Sequence, residues 1–347
     1  MAIKKASYNK DEAKALRNSA IPAAVMASEG TRFDSADDAS VFFARELDHV
    51  KAESYDVEYP EFTALNLFPV SNETDPGAET VTYYTYDKTG LAKVIDNYST
   101  DLPRADVTGK PSYAQVKSIG DSYGYSAQEM RASRMAGKSL DSRKAESARY
   151  QIDNLTNRIA WAGDENSGLM GVLSTGQNVP LYTIGNGAGN KADWASKTAD
   201  EILADVNGMQ KQVARVTKNV ERPDTLCVPS DVYMDISTRR IPDTATTVKA
   251  FLLENAPYLK DIVSAAELDA DSVDTNPYAK AATGGKGVAF LFKNDKRKMS
   301  LENPMPFMQY PLQVKGLETV IPCEARTAGV IFYYPLSALI AVGVSVN

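Results

Sequence analysis

The chain has 347 residues, 43% of them hydrophobic and 24% charged, which is enough apolar material for a packed core and excludes wholesale disorder. Lys and Arg total 38 against 45 Asp and Glu, a net charge of -7, which excludes a broad cationic surface for nonspecific nucleic-acid binding. With one histidine (His49) and two cysteines (Cys227 and Cys323), the usual Cys/His zinc site cannot be built within one chain.

Met1-Ala2-Ile3-Lys4-Lys5 is not followed by an apolar run, so no secretory leader is expected. Residues 10–28 and 36–52 read as two short helices, the second with Val41, Phe42, Ala44, Leu47 and Val50 on one face. Otherwise the segment before residue 75 lacks a core of its own and reads as an arm that packs on something else. Thr80–Tyr86 (Thr-Val-Thr-Tyr-Tyr-Thr-Tyr) has strong strand propensity, and Tyr113–Ile119 reads as its return strand. Between them, Asp87–Ser112 is a loop of about 25 residues, uncommon inside a compact domain. Leu91, Val94 and Ile95 in its middle favour an extension that finds its partner in another chain.

Ser126 and Glu129 form a capping box at the start of a long helical stretch that runs to about Ala162, with an irregularity at Gly137. Ala148, Ile152, Leu155, Ile159 and Ala162 make one narrow apolar stripe, and Gly163 stops the helix. Residues 164–195 are loop-like. Thr198 and Glu201 form a second capping box before an amphipathic helix carrying Ile202, Leu203, Val206, Met209, Val213 and Val216. Short strands and helices then alternate through Thr225–Val228, Asp231–Thr238, Thr247–Asn255 and Asp261–Ala265. Gly287–Lys293 reads as a buried strand, and residues 305–347 as successive strands that return to pack on the long helix. The apolar tail Ala328–Val346 is interrupted by Pro335 and Gly343, so two buried strands fit it better than a membrane anchor.

Cys227 and Cys323 lie in apolar strand-like runs and read as buried free thiols. Gly120-Asp121-Ser122-Tyr123-Gly124 has the G-x-S-x-G spacing of a nucleophile elbow, but no histidine follows Ser122 in chain order, and the segment reads as a glycine-flanked turn. Gly284-Gly285-Lys286-Gly287 lacks the Walker spacing and the Ser or Thr that would hold magnesium. Gly185-Asn186-Gly187-Ala188-Gly189 lacks the dinucleotide-binding spacing. Asp269, Asp271 and Asp274 lack the glycine and the bidentate glutamate of a calcium loop, and His49 has no ligand pattern around it. No catalytic, cofactor or metal residue is therefore assigned. The 18 tyrosines favour an assembly role, since tyrosine gives large contact area at low entropy cost.

The order of these segments resembles the major capsid protein of tailed bacteriophages, the Hong Kong 97-like fold. Ala162-Gly163-Asp164-Glu165-Asn166-Ser167-Gly168-Leu169-Met170-Gly171-Val172-Leu173 resembles the family's post-helix segment. Arg326–Ala338 resembles its last strands. The resemblance implies an α+β chain with an N-arm at 1–74 and an E-loop with flanking strands at 75–119. It implies a P-domain at 120–190 containing a spine helix at 126–162, an A-domain at 191–300, and P-domain return strands at 301–347. It implies a structural subunit, not an enzyme, that forms hexamers and pentamers of an icosahedral shell around double-stranded DNA. Assembly would take place in the host cytoplasm, with scaffolding, portal and decoration proteins as further partners. No cofactor, membrane or sequence-specific DNA contact is implied. Leu91, Lys93, Val94 and Ile95 would make contacts between subunits. Lys88 and Lys93 lie where some members crosslink, but no partner residue can be matched. An encapsulin-like compartment shares the fold, and a serine hydrolase based on Ser122 is the rival from another class. An active-site serine probe is expected to leave the chain unlabelled, and labelling of Ser122 would support that rival.

Overall fold

The computed structural model describes residues 61–94, 102–136, 143–279 and 285–346. The two helices expected before residue 53, His49, Ile95, the irregularity at Gly137 and Gly284 lie outside the described residues. The described chain starts with a single helical turn, α1 (Ala64–Leu67), and a short strand, β1 (Val70–Ser71). β2 (Thr80–Thr89) and β3 (Asp106–Gln115) are followed by β4 (Lys117–Ser126), α2 (Ala127–Ala136) and α3 (Arg143–Trp161). Next come β5 (Leu181–Thr183), α4 (Ala199–Val216), β6 (Thr225–Val228), α5 (Ser230–Thr238), α6 (Val248–Asn255), β7 (Asp261–Ser264) and β8 (Lys286–Phe292). β9 (Met299–Glu302), β10 (Met305–Gln309), β11 (Gln313–Lys315), β12 (Glu318–Thr327), β13 (Gly329–Phe332) and β14 (Ala338–Val346) complete it.

The largest sheet has the order β5-β14-β8-β6-β7. Its central strands are apolar almost without alternation, so both faces must be covered. One face takes α4, α5 and α6. Val206, Met209, Ile236 and Leu252 meet Leu226, Leu291 and Leu339 there. The other face presents Cys227, Phe290, Phe292 and Ile340 to Phe68, Trp161 and Val172. Phe68 makes edge contacts to Trp161 at 4.9 Å and to Phe292 at 5.9 Å, tying the segment before the hairpin to the end of α3 and to the sheet.

Both capping boxes are present. The Ser126 N–H donates to the Glu129 carboxylate at 2.9 Å, and the Glu129 N–H donates to the Ser126 hydroxyl at 3.1 Å. Thr198 and Glu201 repeat the arrangement at α4. The single helix expected over 126–162 is instead described as two, α2 and α3. Ala148, Ile152 and Ile159 of the stripe are buried against Ile119, Cys323 and Ala325 of the β4–β12 pair. The last turn of α3 is finished by the post-helix segment. The Val172 N–H donates to the Ala160 carbonyl and the Leu173 N–H to the Trp161 carbonyl, both at 2.8 Å, which satisfies carbonyls that the helix leaves open. Gly163 has φ +77°, in the left-handed region, where the helix stops.

Two further expectations need correction here. Gly120–Gly124 is not a turn. It lies in the middle of β4, which pairs antiparallel with β12 over ten positions, Ser122 opposite Pro322. The elbow geometry required by a Ser122 hydrolase is therefore missing. A Cβ at Gly124 would sit 2.9 Å from the Thr319 carbonyl, so this glycine serves close strand approach. Nor do all the C-terminal strands return to the long helix. β14 lies between β5 and β8 in the large sheet, because its run of buried side chains needs cover on both faces. Cys227 and Cys323 are free and buried as expected, and burial raises both thiol pKa values. No helix among the described residues is long and apolar enough to cross a membrane.

Polar groups fix the loops. Lys197 and Asp205 pair at 2.6 Å with both side chains buried, and the Trp194 indole N–H donates to the same carboxylate at 3.0 Å. Asp269, faintly placed in a calcium-like loop by sequence, accepts from the Ser230 N–H at 2.6 Å at the start of α5. Burial pushes its pKa up to about 6.

Two outcomes follow from this packing. A Cβ at Gly171 would lie 2.3 Å from the Gly163 nitrogen. Gly171→Ala is therefore expected to cost about 1–3 kcal/mol in urea unfolding of the unassembled subunit, the range typical of overpacking. Asp269 binds its proton more tightly folded than unfolded. Its contribution to stability is full below about pH 4 and is lost as pH rises through about 6. Asp269→Asn is expected to gain about 1 kcal/mol at pH 7, a value discounted for solvent screening. That gain is expected to vanish below about pH 4 in the same unfolding measurement.

Candidate functional site

Sequence reasoning singled out the excursion after Thr80, and the structure gives it a definite form. β2 and β3 pair antiparallel in continuous register from Thr80↔Gln115 to Thr89↔Asp106. Of the loop expected over Asp87–Ser112, residues 87–89 and 106–112 are paired in the ribbon, and residues 90–105 connect the strands. The return strand starts at Asp106 and not at Tyr113. Gly109 and Pro111 obscured it, since both residues are depleted in strands. Pro111 is tolerated because, among the described residues, β2 and β3 pair with each other and with no third strand that would need its missing N–H. Ten residues at about 3.4 Å each extend the ribbon roughly 34 Å.

Period-two alternation gives the ribbon two unlike faces. Val81, Tyr83 and Thr85 are half-buried at the base, where Tyr83 meets Tyr333 edge-on with ring centroids 5.1 Å apart. The opposite face carries Tyr84, Tyr86 and Lys88 from β2, and Tyr113, Pro111 and Val107 from β3. Tyr84, Tyr86, Tyr113 and Val107 are all exposed. The Tyr86 ring covers Gly109, whose missing Cβ would lie 2.9 Å from it, so the aromatic shields backbone that the glycine leaves bare.

Among the described residues, the root is fastened to the rest of the chain. The Val116 N–H donates to the Glu79 carbonyl at 2.9 Å, Val116 is buried, and the Arg326 guanidinium donates to the Pro76 carbonyl. Beyond the paired strands, Leu91 is 83% and Val94 99% exposed. Lys93 lies between them in the connecting segment, and Ile95 is outside the described residues. The exposed Tyr84–Tyr113 face was missed in the sequence. Its signal was the alternation within Thr-Val-Thr-Tyr-Tyr-Thr-Tyr, and it could be read only once β3 was recognised.

This arrangement offers contact area. Among the described residues no group of three or more acidic, histidine or cysteine side chains is placed to hold a metal ion. Ser122 lies within β4 in the four-stranded sheet, a different sheet from the ribbon.

Residues 90–344 match the family model described as major capsid protein. Among solved structures, the capsid of the Myoviridae phage XM1 superposes with a TM-score of 0.71 at 18% identity, over 88% of this chain and 100% of that one. A structure from Mycobacterium phage Bobi gives a TM-score of 0.58 at 14% identity, over 86% and 96%. The capsid of a native GTA particle gives 0.58 at 9% identity, over 90% and 100%. At these identities the structures show a shared fold, and no curated protein matches by sequence. The family match spans well over half of the chain, so this α+β chain, with its Hong Kong 97-like fold, belongs to the major capsid protein family.

Proposed function

We propose that the chain is the structural subunit of an icosahedral shell that encloses double-stranded DNA. Hexamers and pentamers of this chain build the shell, which forms in the host cytoplasm and becomes the capsid of the virion. In this reading residues 1–74 are the N-arm, 75–119 the E-loop, 126–162 the spine helix within the P-domain, and 191–300 the A-domain. Leu91, Lys93, Val94 and Ile95 lie at contacts between subunits. Scaffolding, portal and decoration proteins are further partners, and the subunit performs no catalysis.

One observation carries this reading within the family: a ribbon whose two strands, among the described residues, pair with no other strand, with an exposed tyrosine face and exposed aliphatic side chains beyond it. Isolated two-stranded ribbons are marginal in water, and exposed apolar patches of this kind mark interaction sites. A second copy of the chain is the partner that a shell supplies. The net charge of -7 also suits a container, because a cationic lining would grip the DNA it must release.

Deletion of residues 87–112 is expected to leave a folded, soluble subunit that no longer forms closed shells in electron micrographs. Normal particles from that deletion would refute the reading.

A further inference from the structure

The large sheet has two edges with opposite chemistry. β5 is one edge strand and β7 the other. At the β5 edge, the Gln212 side-chain amide donates to the Leu181 carbonyl at 3.4 Å, placing the C-terminal half of α4 there. Lys211, Arg215 and Lys218 follow one another at i, i+4 and i+7, all exposed, and none forms an ion pair with a described residue. Lys211 and Arg215 lie in the last two turns of α4 and Lys218 just beyond its end, so all three cations gather at the C-terminal end of the helix. Together with Gly208 and Gln212, Lys211, Arg215 and Val216 line a groove of about 560 Å³. Val216 and Val220 are 52% and 75% exposed beside these cations.

After β7 at the other edge, the chain makes one tight turn (Ala266–Leu268) and enters an acidic loop. Asp271, Val273 and Asp274 are exposed in that loop and, with Glu61, line a second groove of about 400 Å³. Each edge thus carries an aliphatic group flanked by charge, with opposite signs.

We infer that the groove at the C-terminal end of α4 receives the Asp271–Asp274 loop of a second copy. The inference rests on the shell-subunit reading, which supplies a neighbour of identical sequence. In a chain of net charge -7, a local cluster of cations is a place where an acidic segment of a second copy is attracted. Because the two surfaces differ and lie at opposite edges, the contact is head-to-tail, and repeating it by rotation closes a ring. DNA is the weaker candidate for the basic groove, since the exposed Val216 and Val220 would face phosphates with nothing to bury them.

The test is a charge swap in the full-length chain. R215E/K218E and D271K/D274K alter exposed side chains only, and circular dichroism of each unassembled subunit is expected to match the unaltered chain. Each double variant alone opposes like charges. Each is expected to weaken ring formation, followed by native mass spectrometry, by roughly tenfold or more in association constant. The chain carrying all four substitutions restores opposite signs and is expected to recover rings and shells. Normal assembly of either double variant, or failure of the four-fold variant to recover, would overturn the inference. So would normal shells from R215E/K218E that hold less DNA, which would assign the groove to nucleic acid. In each of these outcomes self-assembly of the unaltered chain would stand. A strictly monomeric unaltered chain would instead overturn the shell reading itself.

Discussion

Cover on both faces of the β5-β14-β8-β6-β7 sheet is the constraint on which the rest of the described structure depends. Strands such as Val288–Phe292 and Ala338–Ile340 are buried continuously and cannot leave a face in water. Three helices cover one side. The other is closed by pieces from distant parts of the chain: Phe68 before the hairpin, Trp161 at the end of α3, and Val172 after it. That shared face couples the root of the ribbon to the sheet. Asn157 and Glu267 strengthen the coupling: the Asn157 carbonyl oxygen accepts from the Ala64 N–H at 3.0 Å, while Glu267 accepts from the Thr63 hydroxyl at 2.7 Å and the Asn157 amide at 2.7 Å. A buried carboxylate with that many donors is satisfied where it stands, and it pins the segment leading into the hairpin.

What could be read in the sequence was what is local. Both capping boxes, the stripe Ala148, Ile152 and Ile159, the amphipathic α4 and the buried strand Lys286–Phe292 follow from spacing within a dozen residues. What was misread depends on partners far away in the chain. Gly120–Gly124 looks like a turn until β12 is set beside it, about two hundred residues later. β14 looks like a neighbour of β13, yet it enters another sheet, because pairing with β8 and β5 buries both of its faces. Asp269 shows the same limit on a smaller scale. An aspartate in an acidic loop reads as solvated, and only the fold brings the Ser230 N–H to it.

The candidate site was half legible. Leu91 and Val94 stood out because large aliphatics have no local purpose in a polar loop, and in the structure they are indeed uncovered. The tyrosine face was hidden because Pro111 and Gly109 masked the strand that organises it. The cations of α4 had a visible spacing, but a lone run of like charge on a helix reads as a solvated face. Its meaning depends on the acidic loop at the other edge of the sheet, and adjacency of that kind is set by topology.

The ribbon and the charged edges place different demands on an association. A flexible loop that orders only on binding loses conformational freedom at that moment, and affinity falls accordingly. Here β2 and β3 are already paired over their full length, Tyr86 already shields Gly109, and Tyr333 and Arg326 already hold the root. Much of the ordering cost is therefore met within the folded subunit, which leaves the tyrosine face free to gain from burial. The charged edges work through longer-range attraction, which sets orientation and encounter more than affinity. On the proposed reading, a shell needs both: charge to bring copies into register around a ring, and apolar area to hold them once they are there.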